Sequence, residues 1–349
     1  MQEKLESKQN PRHLWRGEVR SHGQKRVLLA DEVGLGKTII AKEVIERLAK
    51  WHKEKLNDDH FKVLYICSNI NIARQNAKKL GIKDTLDVSE SRLSMQHLKI
   101  YESKRQGHDY KQLIPLTPAT SFSMTMGCGT AGERALMYAH LKRMPCFSDM
   151  ENALYEFMSY DASKSWPGAV ERYENRVIEC DKNGSNYIAE MQRSLQEMMP
   201  GELVKTIRMT LNPRLLINEL RGIFAEISLG KLEPDLVIMD EFQRFRDLIK
   251  PHGSEQRMLS DKFLHGNTMA KVLLLSATPY KLYSTLEEIA QNGEEFEHYN
   301  EFMEVMDFLF YDKDKNAGFK EVWRNYSCAL SCPRRIYSHI YKRSSLWII

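Results

Sequence analysis

The chain has 349 residues, with 51 lysines and arginines against 47 aspartates and glutamates, so its formal net charge of +4 neither favours nor excludes nucleic acid as a partner. Hydrophobic residues make up 42% and charged residues 28%, which is ordinary for a globular protein with a sizeable core. No apolar run is long enough to cross a bilayer, and the N-terminal segment MQEKLESKQN lacks the apolar core of a signal peptide. The six cysteines are scattered, which favours reduced thiols. We therefore expect a cytoplasmic protein that is not bound to a membrane.

Short apolar runs predict the strands of a sheet. The strong candidates are RVLLA (26–30), KVLYIC (62–67), DLVIM (235–239) and KVLLLSATP (271–279). HLKIYES (98–104) and QLIPLTPATSF (112–122) are weaker strand candidates, and Pro115 makes the second an edge or strand-terminating segment.

Helical patterns follow several of these strands. They cover residues 38–50, residues 71–80 with Gly81 as the end signal, and residues 214–229 after the Asn212-Pro213 start. Strands that alternate with helices predict an α/β fold whose parallel sheet carries helices on both faces. Residues 123–210 lack this rhythm, and we expect a largely helical insertion there.

The segment ADEVGLGKTI, residues 30–39, separates the first predicted strand from the first predicted helix. Its glycines allow backbone amides to approach phosphate groups without a Cβ in the way. Gly34, Gly36, Lys37 and Thr38 fit a phosphate loop. In such a loop Lys37 reaches the β- and γ-phosphates of ATP, and the Thr38 hydroxyl holds Mg²⁺.

Two adjacent acids, Asp240 and Glu241, end the predicted strand in LVIMDEFQRF. Acids at the carboxyl end of a strand project into the crevice where open α/β sheets bind ligands. We expect Asp240 to hold Mg²⁺ and Glu241 to orient and deprotonate the attacking water. With a phosphate loop upstream, this interpretation is favoured over two acids that merely begin a solvated loop.

The segments LLADEVGLGKT, DEFQRF and LLLSATP occur in this order, each on its own predicted strand. Together they resemble motifs I, II and III of superfamily 2 helicases and translocases. The loop, with Asp31 in place of the first glycine, is similar to that of the chromatin-remodeller and bacterial RapA-like branch, although DEFQ departs from the DEAH that is usual in remodellers. The resemblance implies a RecA-like ATPase lobe over roughly residues 10–290, in which Asp31, Glu32 and Leu35 join the cofactor-binding loop.

The same resemblance assigns roles to further residues. Gln243 lies beyond the two acids and joins Lys37, Asp240 and Glu241 as a catalytic candidate. Ser276, Ala277 and Thr278 match the Ser-Ala-Thr element that couples ATP hydrolysis to movement.

Candidates for nucleic-acid contact follow the second and third predicted strands. Ser68 and Arg74 lie where the family has motif Ia, and Thr117 and Thr120 belong to a segment that resembles motif Ib. In the family these motifs grip the phosphate backbone without reading bases. For any one of these residues a solvated surface role is an equal alternative.

The resemblance divides the chain into four expected segments. Residues 1–122 form the first part of the ATPase lobe and residues 211–290 its second part, on either side of the helical insertion at 123–210. Residues 291–349 form an acidic helical segment and a basic tail.

The resemblance implies an ATPase that uses ATP and Mg²⁺ and moves along nucleic acid, in particular double-stranded DNA. No match to the motifs of a second RecA-like lobe follows residue 290, so we expect a truncated motor that needs a separate chain for that lobe. Two alternatives stay open: a non-catalytic docking module derived from such a lobe, and a translocase subunit of a restriction system.

Overall fold

The computed structural model describes residues 25–31, 34, 36–56, 60–82, 92–105, 110–117, 128–162, 164–209, 213–249, 257, 260–265, 270–276, 302–310 and 312–331. Its strands are β1 (Arg26–Ala30), β2 (Phe61–Ile66), β3 (Lys111–Leu116), β4 (Leu236–Asp240) and β5 (Lys271–Ser276). They form a five-stranded sheet in the order β1-β5-β4-β2-β3, and every pairing is parallel. All five carboxyl ends therefore lie at one edge of the sheet.

Two apolar layers cover the two faces of this sheet. Helices α1 (Lys37–Leu56) and α2 (Ile70–Lys79) pack on one face, where Ile238 of β4 is buried. Val237, the preceding residue of β4, points to the other face and packs with residues of the helix α10 (302–309). This alternation confirms the predicted α/β fold with a RecA-like sheet between helices.

The predicted edge position of Pro115 is confirmed, because β3 is the last strand of the sheet. The strand prediction for 98–104 is wrong, since these residues belong to helix α3 (Gln96–Arg105). Leu98 and Tyr101 of this helix pack among other helices, whereas Ile100 packs against the sheet. The helix is thus buried on two sides, so its buried residues Leu98 and Ile100 are two positions apart, a spacing that is also typical of a strand.

Residues 131–232 are largely helical, which confirms the predicted helical insertion. The helices are α4 (Ala131–Leu141), α5 (Glu151–Ser159), α6 (Trp166–Cys180), α7 (Tyr187–Met198), α8 (Gly201–Met209) and α9 (Pro213–Leu232). Together with α3 they form one apolar cluster, which we call the helical layer. A further helix, α11 (Lys313–Ser331), follows α10.

Helix α9 belongs to both apolar cores. Ile217, Leu220 and Phe224 are buried in the helical layer, and Ala225 and Leu229 are buried against the sheet. The helical layer therefore packs directly on the sheet through this helix.

Two histidines lie at the centre of the helical layer. His97 of α3 and His140 of α4 are fully buried, and their rings meet edge to face at 5.4 Å. The Tyr187 hydroxyl lies between them, 2.7 Å from His97 Nδ1 and 3.1 Å from His140 Nε2. No described residue bonds His97 Nε2 or His140 Nδ1, so a proton added to either ring would find no acceptor there.

Acidification is expected to destabilise the helical layer. Burial lowers the pKa of His97 to about 3 and that of His140 well below its usual value. In the unfolded chain both histidines take up protons near pH 6.5, so stability is lost as the pH falls from about 6.5 towards 3. Between pH 7 and pH 5 the loss is roughly 2 kcal/mol for each histidine, measurable by urea unfolding.

A His140→Leu variant tests the source of this loss, because it should show a smaller drop between the two pH values than the unchanged chain. An unfolding midpoint that stays constant from pH 7 to pH 5 in the unchanged chain would contradict the prediction.

None of the helices within the described ranges combines the length and the apolar character that a membrane span requires.

Candidate functional site

The described part of the loop after β1 has two glycines in a backbone conformation that suits close approach to phosphates. Gly34 and Gly36 adopt φ values of +89° and +86°, in the left-handed region that favours glycine. The Gly36 carbonyl accepts the amides of Ile39 and Ile40 at 2.8 and 3.1 Å, and so begins helix α1. The loop therefore leads directly into a helix N-terminus, where backbone amides point outward and attract anions.

Lys37 and Thr38 occupy the first turn of α1, and both are half-buried. The Lys37 ammonium donates to the Asp31 carbonyl oxygen at 2.8 Å, and the Asp31 amide donates to the Ser276 carbonyl at 3.3 Å. Asp31 thus joins the start of the loop to the end of β5, and the Lys37 side chain points back to the backbone of Asp31. Glu32 and Leu35, also predicted for this loop, lie outside the described residues.

The Asp240 carboxylate is oriented by two neighbours. Its Oδ2 accepts the Tyr65 hydroxyl at 2.5 Å and the Asn76 amide at 3.2 Å, and Asn76 also donates to the Tyr65 oxygen at 2.7 Å. Burial, and then the negative charge of Asp240, raise the pKa of Tyr65, so the phenol stays protonated as a donor. No described residue bonds Asp240 Oδ1, which leaves that oxygen for a cation.

The strand register places this carboxylate near the phosphate loop. Ala30, the last residue of β1, pairs with Ser276, and Asp240 pairs with Leu275. The two strand ends are level and separated by β5 alone, so they lie roughly 10 Å apart at the usual strand spacing. The loop and the acid thus share one edge of the sheet.

A magnesium ion would fit the oxygen donors at this edge. Within the described ranges, no group of three or more His, Cys, Asp and Glu side chains could enclose a metal ion. Mg²⁺ prefers one or two protein oxygens together with phosphate oxygens and water. The Asp240 carboxylate and the Thr38 hydroxyl suit that donor set.

Glu241 has an unusual backbone at the end of β4. Its φ of +53° is left-handed, which is uncommon for a residue other than glycine and costs about 1–3 kcal/mol. Its carboxylate forms an ion pair with Arg244 at 2.7 Å, and both side chains are partly exposed. Gln243 is half-buried in the turn Phe242–Phe245 that follows.

The predicted coupling element is only partly described. Ser276 is buried at the end of β5, with 1% of its surface exposed, and its carbonyl receives the Asp31 amide. Ala277 and Thr278 lie outside the described residues. The contact with Asp31 joins the start of this element to the phosphate loop.

Two of the nucleic-acid candidates, Ser68 and Thr117, follow strand ends at the same edge of the sheet. Ser68 is half-buried after β2, Arg74 is exposed on α2, and Thr117 is buried directly after β3. Thr120 lies outside the described residues. Ser68 and Arg74 are therefore accessible, whereas Thr117 shows only 1% of its surface.

Tyr65 and Asn76 were not among the predicted site residues. Tyr65 carries a hydroxyl among the apolar residues at the end of KVLYIC, and this polar group in an apolar strand could have marked it as a site residue. Asn76 gave no signal, because its approach to Asp240 depends on how α2 lies against the sheet. It joins the predicted motif Ia helix directly to the predicted magnesium ligand.

Residues 2–121 match the family described as type III restriction enzyme, res subunit. The fold and this match indicate a superfamily 2 helicase-like ATP-binding lobe, a class of domain that generally uses ATP and Mg²⁺. The match gives no support to the chromatin-remodeller and RapA-like branch suggested by the loop sequence. No curated protein and no solved structure shows a significant match to the chain.

Proposed function

We propose that the chain binds ATP and Mg²⁺ at the carboxyl edge of its sheet and hydrolyses ATP there. Lys37 contacts the β- and γ-phosphates, while the loop amides of Gly34 and Gly36 cradle them. Thr38 and Asp240 hold the magnesium ion, which neutralises charge on the phosphates when bound. Glu241 orients the attacking water and accepts its proton.

One observation carries this proposal: the loop after β1 and the Asp240 carboxylate lie at one edge of a parallel sheet, and Asp240 is held by Tyr65 and Asn76 with one oxygen left open. A carboxylate that served only to begin a solvated loop would not need donors from both Tyr65 and Asn76. The arrangement matches what metal ligands require, since their partners fix the direction of the open oxygen.

The partner that we propose is double-stranded DNA, with movement along it driven by ATP hydrolysis. The family matched by residues 2–121 is named for a restriction enzyme subunit, which favours a restriction-system translocase over a chromatin-remodeller-like motor. Ser68 and Arg74 would contact the phosphate backbone. The proposal includes a second RecA-like lobe, because arginines from that lobe complete the site in the superfamily.

A titration with a fluorescent ATP analogue and Mg²⁺, followed by ATPase assays, tests the proposal. We expect saturable, magnesium-dependent binding and slow hydrolysis by this chain alone, at a rate that duplex DNA increases more than RNA of equal length does. A rate that rises strongly with DNA would contradict the need for a second lobe. Absence of nucleotide binding in a folded chain would refute an ATP site, whereas binding without any effect of DNA would refute only the DNA-driven part.

The contact with Tyr65 makes a separate prediction. Tyr65→Phe removes one of the two donors to Asp240, so we expect the magnesium concentration for half-maximal ATPase to increase about tenfold. Tyr155→Phe, a change in the helical layer, is the matched control and should leave the magnesium curve unchanged. Identical curves for the two variants would show that Tyr65 does not position the carboxylate.

A further inference from the structure

A cavity lies in the helical layer, away from the edge of the sheet where ATP is proposed to bind. Its volume is about 390 Å³, and its wall is formed by the start of α4, the turn between α5 and α6, and the start of α9. The residues that matter for its chemistry are Ala131, Arg134, Tyr160, Asp161, Ser165 and Arg214.

Three helix N-termini converge on this cavity. Ala131 is the first residue of α4, Ser165 is the N-cap of α6, and Arg214 lies in the first turn of α9. The three helices have 11, 15 and 20 residues, so each carries a developed dipole with its positive end here. The Ser165 side chain makes no capping hydrogen bond to its own helix.

Arg134 brings a buried positive charge to the same place. Only 3% of the residue is exposed, and its Nε has no hydrogen-bond partner among the described residues. One terminal nitrogen donates to the Tyr160 carbonyl oxygen. Burial lowers the pKa of the guanidinium, which means that its charge is poorly solvated.

No described carboxylate forms an ion pair with Arg134. The adjacent Glu133 is already held by Arg221 at 2.8 Å and by Arg92 at 3.4 Å. Asp161 also lines the cavity and attracts the guanidinium, but the residue is exposed and forms no ion pair with Arg134. A buried cation that forms no ion pair is costly, and an anion in the cavity would compensate for it.

We propose that this cavity binds the phosphate group of a nucleotide, either free or within a nucleic-acid strand. Arg134 and Arg214 supply the charge, and the converging helix N-termini supply dipoles of the same sign. Among the residues that line the cavity, the guanidiniums of Arg134 and Arg214 outnumber the single carboxylate of Asp161.

The size and the aromatic wall favour a nucleotide over a bare ion. A volume of about 390 Å³ is in the range of small-molecule sites, which begin at about 300 Å³. Tyr160 lines the cavity and is 41% exposed, so its ring is accessible for a base to stack on.

The test uses the full chain with Lys37→Ala, which weakens any binding of the probes at the phosphate loop. Inorganic phosphate, uridine 5′-monophosphate and a short single-stranded oligonucleotide are titrated separately by calorimetry. We expect at least one of the three to bind, and Arg214→Gln to weaken its binding about tenfold or more, because a charge-assisted hydrogen bond is lost. Arg172→Gln, on an exposed part of α6 outside the cavity, is the matched control and should change affinity less than about twofold.

The arms of the test separate the two sources of phosphate. Binding of the mononucleotide identifies a free nucleotide as the ligand, and binding of the oligonucleotide alone identifies a strand; both results support the site. If none of the probes binds, or if Arg214→Gln and Arg172→Gln bind equally, the site does not exist.

Arg134→Gln, with its fold checked by circular dichroism, must also lose binding if it folds. Since the loop lysine is absent throughout, failure here leaves the proposed ATP site untouched.

Discussion

Lys37→Ala is expected to weaken ATP binding about ten- to a hundredfold and to reduce hydrolysis to background. The ammonium lies over the loop at 2.8 Å from the Asp31 carbonyl, at the first turn of α1. From there it can reach the β- and γ-phosphates, and loss of a charge-assisted hydrogen bond to phosphate accounts for the expected change. Titration with a fluorescent ATP analogue measures it.

Lys50→Ala is the matched control, because Lys50 lies on the same helix and is exposed near its other end. This variant should bind ATP like the unchanged chain. Equal affinity of the Lys37→Ala variant and the control would exclude the loop as the nucleotide site. If the biological function of the protein also survived the loss of Lys37, the docking-module alternative would be favoured.

Glu133→Gln is expected to lower the free energy of unfolding by about 3–5 kcal/mol. Glu133 of α4 and Arg221 of α9 form an ion pair at 2.8 Å, and both side chains are 1% exposed. Ser94 also donates to the Glu133 carboxylate. The amide removes the negative charge that faces the buried guanidinium, so the two helices lose their ion pair.

Urea unfolding measures this loss, and two comparisons test its cause. Glu202→Gln removes one partner of an exposed pair with Lys205 on α8 and should cost about 1 kcal/mol or less. A double variant, Glu133→Gln with Arg221→Met, should recover part of the stability, because the buried positive charge is then gone as well. If the double variant is no more stable than Glu133→Gln alone, the buried charge is not the cause.

The sheet could be predicted from the sequence because its strands are short apolar runs. RVLLA, for example, needs no tertiary information to be recognised as a buried strand, and β1 occupies the same residues, Arg26–Ala30. Helix α3 could not be recognised in this way. It lies between two apolar cores, so Leu98 and Ile100 are buried on opposite sides of one helix and suggest a strand.

Those parts of the candidate site that a short segment of sequence defines could be predicted. The parts that depend on contacts between distant segments could not. Glycines before a lysine and a threonine, or two acids after an apolar run, signal their chemistry in sequence. The bonds from Tyr65 and Asn76 to Asp240 join residues 175 and 164 positions apart, and they depend on the pairing of β2 with β4 and on the packing of α2. The cavity beside Arg134 likewise arises only where α4, α6 and α9 meet.

Because α9 is embedded in both cores, the helical layer and the nucleotide edge are not mechanically independent. The helix ends at Leu232, only a few residues before the strand that ends at Asp240. We expect a partner that tilts α9 to shift β4 as well, because only a short connection joins the two elements. If ATP binds at that edge as proposed and a partner that moves α9 changes its affinity, thermodynamic reciprocity requires ATP to change the affinity for the partner by the same factor.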